Sequence, residues 1–468
     1  MRPLTKNEFS IFKDALFIGL VSAGAYYYHN KWVLIAGCLL WAATQLLKPV
    51  RIFYFVALFY PFAYVSFAEH DLGGFTLNMG NILLTLLMVF TFLKWLVSES
   101  VFEGRPRNPR SRAVQLNVLL VLIFSAAVLL TSILHGEDVS YWVTSAGYAL
   151  AFTAPVLLVD GPEVFSNLIG LFEIAAVVVA ASAILSAFGI VSLENLHMKP
   201  SVYRHFLGAK YASTGLVEAR GGFGINMAFV LPFIYLSIAD KLKAMRTAPA
   251  GNAPRVAVYL ALLSVLIFGI IISGSRATWG MFAVVTVLFF TLNYLARDLK
   301  SFLGLFIGAV LPAVIAVSVM LGNTIASLFE GLYNIGRLSA NQRIWVDRDA
   351  LNCIAQNPFF GVSHAQSGDL GWLNEEIHNF FLAIAATNGI AGALPVALVF
   401  ICTFLMISST WTTASGRLKK EAACLVAGFS GMMCNLMLYG GGEKQIWMYL
   451  GLMNSFYFIS RRQSPSRI

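Results

Sequence analysis

The sequence predicts an all-α fold: a polytopic transmembrane helical bundle of about 12–14 spans with a partly helical extramembrane loop. Three observations lead there. Apolar residues make up 58% of the 468-residue chain and charged residues only 12%, a balance outside the range of soluble globular domains. Apolar runs of roughly 18–25 residues recur from end to end, each long enough to cross a hydrocarbon layer as a helix. The runs are continuous rather than alternating, which excludes a transmembrane barrel.

Taken in order, the spans fall near 12–28, 32–47, 50–68, 75–97, 114–134, 141–159, 163–190, 222–239, 256–273, 277–294, 302–321, 377–410, 421–438 and 446–460. The polar, basic lead from Met1 to Lys13 ends in no small-residue cleavage site, so the first helix is expected to act as an uncleaved insertion signal. Two longer loops remain, near 191–221 and 322–376. The expected division is 1–200 for N-terminal helices, 201–440 for a catalytic region that includes loop 322–376, and 441–468 for the last helix and a basic tail.

Orientation follows from the basic loops. Arg105, Arg107, Arg110 and Arg112 form one group; Lys241, Lys243, Arg246 and Arg255 a second; Arg417, Lys419 and Lys420 a third; Arg461 and Arg462 a fourth. With fourteen spans they share one side with the N-terminus, expected to be cytoplasmic. This accounts for the net charge of +9 without nucleic acid as a partner. All seven histidines then fall on the opposite side. The five cysteines are scattered and form neither a disulfide framework nor a metal cluster, so no metal or other cofactor is expected.

Four stretches on the non-cytoplasmic side carry candidate chemistry. In EARGGFGINMAF, Arg220 directly precedes a helix opening with Gly221, Gly222 and Gly224, a start that lets an anion reach backbone N–H groups beside a guanidinium. In ISGSRATWG, Arg276 stands in a tight turn between two apolar spans, where a charge near hydrocarbon calls for an anionic partner. The segment from Asn334 to His364 carries Arg337, Arg343 and Arg348 around a broken amphipathic helix that could lie on the membrane surface, ended by NPFFG. Asp347 and Asp349 pair with some of these arginines, leaving Arg343, beside Trp345, as the ligand candidate.

The fourth stretch, EIHNFFLAIAATNGIAGALP, opens a span with His378 and Asn379. A continuous helix puts His378, Leu382, Ala385, Gly389 and Gly392 on one stripe, a smooth seam for a packing helix; a break at Asn388-Gly389 instead leaves 378–387 as a short lid above the span. Either way the imidazole sits at the interface. Its neighbour Asn379 offers an amide able to orient a ring nitrogen or a sugar hydroxyl.

His378-Asn379, nine residues and then Gly389-Ile390-Ala391-Gly392 resembles the H-[NSQ]-x9-G-x-x-[GTY] signature of bacterial O-antigen ligases. ISGSRATWG looks like the S-R-[GA] turn of the wider WaaL-type ligase and Wzy-type polymerase superfamily, and RIWVDRDALNCIAQNPFFGV like its R..W…nP..GvG stretch, with Ser363 replacing a glycine. The resemblance spans about residues 200–440. One R-x10-G pattern of the polymerases occurs, from Arg204 to Gly215.

The resemblance implies an inverting, metal-independent glycosyltransferase in the bacterial inner membrane with its active site facing the periplasm. Its donor would be an undecaprenyl-pyrophosphate-linked glycan, and its acceptor a lipid A-core sugar or, for a polymerase, another lipid-linked glycan. The resemblance together with the charge placement assigns His378 as general base, Arg220 and Arg276 as pyrophosphate clamps, Arg343 as an auxiliary phosphate or glycan contact and Asn379 as orienter, with Gly389 and Gly392 as motif residues. A flippase or transporter is the reading from another class, but it predicts charges along a central cavity and repeated halves; neither pattern is visible.

Overall fold

The computed structural model describes residues 49–59, 70–72, 75–77, 112–136, 139–190, 213–217, 220–245, 249–294, 346–362, 377, 379–438 and 444–463, with isolated residues 13, 17, 36–37, 40–41 and 87. It is an all-α, multi-pass membrane bundle. Its labelled helices are α1 (Pro49–Phe59), α2 (Arg112–Leu134), α3 (Val139–Leu158), α4 (Pro162–Ala187), α5 (Arg220–Met245), α6 (Pro249–Ile272), α7 (Arg276–Tyr294), α8 (Phe380–Thr413), α9 (Gly416–Leu438) and α10 (Lys444–Gln463). Among the described residues, six helices are long and apolar enough to cross a membrane, and two shorter apolar stretches lie at Ala146–Leu158 and Ala277–Asn293.

The helices from α2 onward coincide with the apolar runs of the sequence, because a segment in lipid must satisfy its backbone within itself. The spans expected near 12–28, 32–47 and 302–321, most of 75–97 and the end of 50–68 lie outside the described residues. One expectation is corrected at 75. Instead of starting a helix, Phe75–Leu77 forms strand β2, paired antiparallel with β1 (His70–Leu72) in register His70 to Leu77. The β-forming Phe and Thr that follow Gly73-Gly74 favour a hairpin there.

Two compact units are present. The first comprises Met1–Ala175, Leu398–Met406 and Lys444–Ile468. Here α3 packs on α1, α2 and α10. Trp447 stacks with Phe124 and Tyr148, at ring-centroid distances of 5.4 and 6.0 Å. Asn117 Nδ2 donates to Asn454 Oδ1 (2.9 Å) and Thr403 Oγ1 (3.2 Å), and Asn454 Nδ2 donates to the same hydroxyl at 3.0 Å. Such buried amides join helices where apolar contact alone gives no net drive against lipid.

The second unit comprises Ala176–Ala397 and Ile407–Glu443, and its centre is the trio α5, α7 and α9. Glycines set the close approach: Gly428 faces the Ala228 carbonyl at 3.0 Å from where a Cβ would stand, and Gly431 lies against Val285 and Met281. Helix α9 runs antiparallel to α5. At one end Lys420 Nζ meets Asp240 Oδ1 at 2.8 Å, and at the other Asn435 Nδ2 donates to the Gly221 carbonyl at 2.9 Å. Helix α7 runs parallel to α5, tied by Tyr235 Oη and Thr286 Oγ1 at 3.0 Å. The basic residues Lys241, Lys243, Lys419 and Lys420 therefore gather at one end of the trio, and Arg220 and Arg276 begin helices at the other.

Candidate active site

The α6–α7 turn follows from its residues. Ser273 Oγ donates back to the Ile270 carbonyl at 2.7 Å, and Gly274 takes a left-handed φ of 61°, which costs little without a Cβ. Ser275 caps α7, its Oγ accepting from Thr278 N at 3.3 Å, and Trp279 Nε1 returns to the Ile270 carbonyl at 2.9 Å. Arg276 is thereby the first residue of a rigidly capped helix. Its side chain lies outside what the structure describes, as does that of Arg220.

Arg220 is the first residue of α5. One turn on, a Cβ at Gly224 would stand 2.9 Å from Thr278 Oγ1 and overlap Asn435 Oδ1. The first turns of α5 and α7 therefore touch, and both face the last turns of α9. Two arginines 56 residues apart in sequence (276 − 220) open neighbouring helix N-termini. Backbone N–H groups and partial positive charge converge at such an end, which suits an anion. Thr278 and Asn435 are fully buried, and among the described residues neither Thr278 Oγ1 nor Asn435 Oδ1 has a hydrogen-bond partner. Sequence reading passed over both, since a single Thr or Asn in an apolar run carries no pattern.

The second half of the site is built from 346–362 and the start of α8. Residues 346–356 are helical, and Val346, Ala350 and Ile354 pack against Ile377, Leu382, Ala383 and Ala386. Val346, Ala350 and Ile354 thus face protein, while Leu351 points away, 58% exposed; Trp345 and the earlier residues of the expected surface helix lie outside the described residues. Cys353 is buried in the same helix, and burial, helped by the nearby Asp349 carboxylate, raises its thiol above the ordinary range. It is thus poorly suited to act as a nucleophile.

Asn379 is the N-cap of α8, with Oδ1 accepting from Phe381 N and Leu382 N at 3.1 Å each. Its oxygen is engaged with the helix, so only the amide N–H groups remain to orient a base or hydroxyl. Capping also gives a physical reason for a short polar residue directly after His378. His378 itself and Arg343 lie outside the described residues.

Helix α8 breaks at Gly389, where φ is 59° and ψ −162°. The continuous glycine seam is therefore absent. Among the described residues, the NPFFG turn rather than a helix fills the gap. Ile390 N donates to the Pro358 carbonyl (2.8 Å), Ala391 N to Phe359 (3.2 Å), and Val362 N to Ala386 (3.0 Å). These three hydrogen bonds between α8 and residues 358–362 replace rungs the helix loses. A Cβ on Gly389 would overlap the Phe359-Phe360 backbone, and one on Gly361, at φ 69°, would overlap Ala386 and Thr387. Gly392 makes room for the Asn388 side chain.

Comparison with known proteins adds one decisive observation: residues 260–397 match the family described as O-antigen ligase. That region belongs to the O-antigen ligase/Wzy-type superfamily. The match takes in Arg276, Arg343, His378, Asn379, Gly389 and Gly392 and leaves Arg220 outside. No curated protein matches the chain. The family implies a glycosyltransferase-like membrane enzyme with lipid-linked glycan and acceptor substrates. Among the described residues, no group of three or more His, Cys, Asp or Glu side chains is placed to hold a metal ion.

Proposed function

We propose that the protein is an O-antigen ligase-type inverting glycosyltransferase of the bacterial inner membrane, its site on the periplasmic face. It moves a glycan from undecaprenyl pyrophosphate to a lipid A-core hydroxyl. The observation that carries this reading is the meeting of the first turns of α5 and α7, each opening with an arginine. Region 201–440 is the catalytic part in this proposal.

The acceptor hydroxyl oxygen attacks the anomeric carbon as the bond to pyrophosphate breaks, and the leaving undecaprenyl pyrophosphate keeps the electron pair. One displacement inverts the carbon. His378 takes the hydroxyl proton, a contribution commonly worth about 10²–10⁴ in rate. Arg220 and Arg276 grip the departing pyrophosphate with forked donors, where charge rather than a proton needs stabilising. Arg343 is an auxiliary phosphate or glycan contact, and the Asn379 amide N–H groups orient the base or the hydroxyl.

The test is transfer by the purified protein in EDTA, given donor and either lipid A-core or lipid-linked glycan as the sole acceptor. Turnover with lipid A-core that disappears in His378→Ala supports the proposal. Turnover only with lipid-linked glycan makes the protein a polymerase, and a strict need for divalent metal overturns the arginine clamp.

A further inference from the structure

The break in α8 lies at a definable depth. Helix α8 ends just after Trp411, and Arg417, Lys419 and Lys420 follow in the first turn of α9, with Lys419 Nζ 5.9 Å from the Trp411 ring centroid, a basic cluster of the kind that marks a membrane edge. Counting back about 20 residues, the length that crosses the hydrocarbon core, reaches Ala391. The opposite edge of the bilayer thus falls at the break, where Pro358 and Phe359 hydrogen-bond to Ile390 and Ala391. Residues 380–388 then rise no more than about 13 Å beyond that edge.

Phe359 is 68% exposed at this level. On α8, at and just after the break, Ile390 is 54% exposed and Leu394 52% exposed. A phenyl ring left in water on a turn so rigidly docked would be a standing cost, whereas its transfer into hydrocarbon is favourable.

We propose that the Phe359-bearing turn is a membrane anchor: its ring inserts into the acyl chains of the bilayer, continuing the lipid-facing side of α8. Because the turn is fastened to the break by backbone hydrogen bonds, this insertion sets the height of the α8 start, and of Asn379, above the lipid surface. The inference does not depend on which acceptor the enzyme uses.

The experiment places benzoylphenylalanine at position 359 of the full chain in phosphatidylethanolamine/phosphatidylglycerol vesicles lacking polyprenyl lipid, with position 394 as the lipid-facing reference. Irradiation is expected to add the mass of one phospholipid at 359, as at 394. Absence of a lipid adduct at 359, an adduct only to polypeptide, or an adduct appearing only after undecaprenyl pyrophosphate is added overturns the proposal. Phe359→Leu and Phe359→Asp supply a second reading. Leu is expected to keep the melting temperature of the reconstituted protein and Asp to lower it, and equal melting temperatures overturn the anchor.

Discussion

Asn379 shows how a single side chain is divided between structure and chemistry. Its oxygen holds two N–H groups of α8, so Asn379→Ser is expected to preserve the helix start, whereas Asn379→Ala loses about 0.5–2 kcal/mol. Thermal unfolding of the purified variants checks this. If the remaining amide N–H also orients the base or the hydroxyl, Ser restores stability without full transfer rate, and a rate equal to the parent's removes that role. Cys353 offers a second residue-scale prediction. Burial, then Asp349, raises its thiol, so less thiolate is present at any given pH than in an ordinary thiol. Alkylation at neutral pH is therefore expected to be slow and to accelerate only as pH rises past the ordinary thiol range, measured by mass shift of the peptide over time.

At the scale of elements, the break in α8 and the NPFFG turn act as one joint. Gly361 and Gly389 sit at φ 69° and 59° with backbone where each Cβ would go, so neither tolerates a side chain. Gly361→Ala and Gly389→Ala are each expected to cost about 1–3 kcal/mol locally from backbone conformation alone. The membrane spans stay inserted while transfer activity collapses, because the helix start that follows His378 moves. Initial rates alongside the membrane-bound protein level test this; unchanged rates would show that the joint does not position the site. The arginine end of the trio has the same character. Gly224 lets α5, α7 and α9 close until two helix N-termini adjoin, and Asn435 ties α9 to the first turn of α5.

Across the second unit, cations divide by end, with Lys241, Lys243, Lys419 and Lys420 at one and the Arg220 and Arg276 helix starts at the other. The positive-inside rule assigns the lysine end to the cytoplasm and predicts that a reporter fused after Ser339 reads periplasmic. A cytoplasmic readout would invert the proposed orientation and remove the lipid-linked donor from reach of the site.

Several features were legible in the sequence for a physical reason. A helix in lipid must satisfy its backbone internally, so hydropathy alone marked the helices from α2 onward to within a few residues at most ends. The His-Asn, Ser-Arg and NPFFG stretches were likewise readable as local patterns, and the family match falls across them. Three matters needed the tertiary structure: that α5 and α7 bring their first turns together, that a turn rather than a helix fills the gap at Gly389, and that the Asn379 oxygen is committed to a cap. The first two rest on contacts between residues far apart in the chain, such as Gly224 with Asn435 and Gly389 with Phe359. Sequence patterns record what each residue can do, but which partner reaches it in a close-packed bundle depends on how separate helices approach.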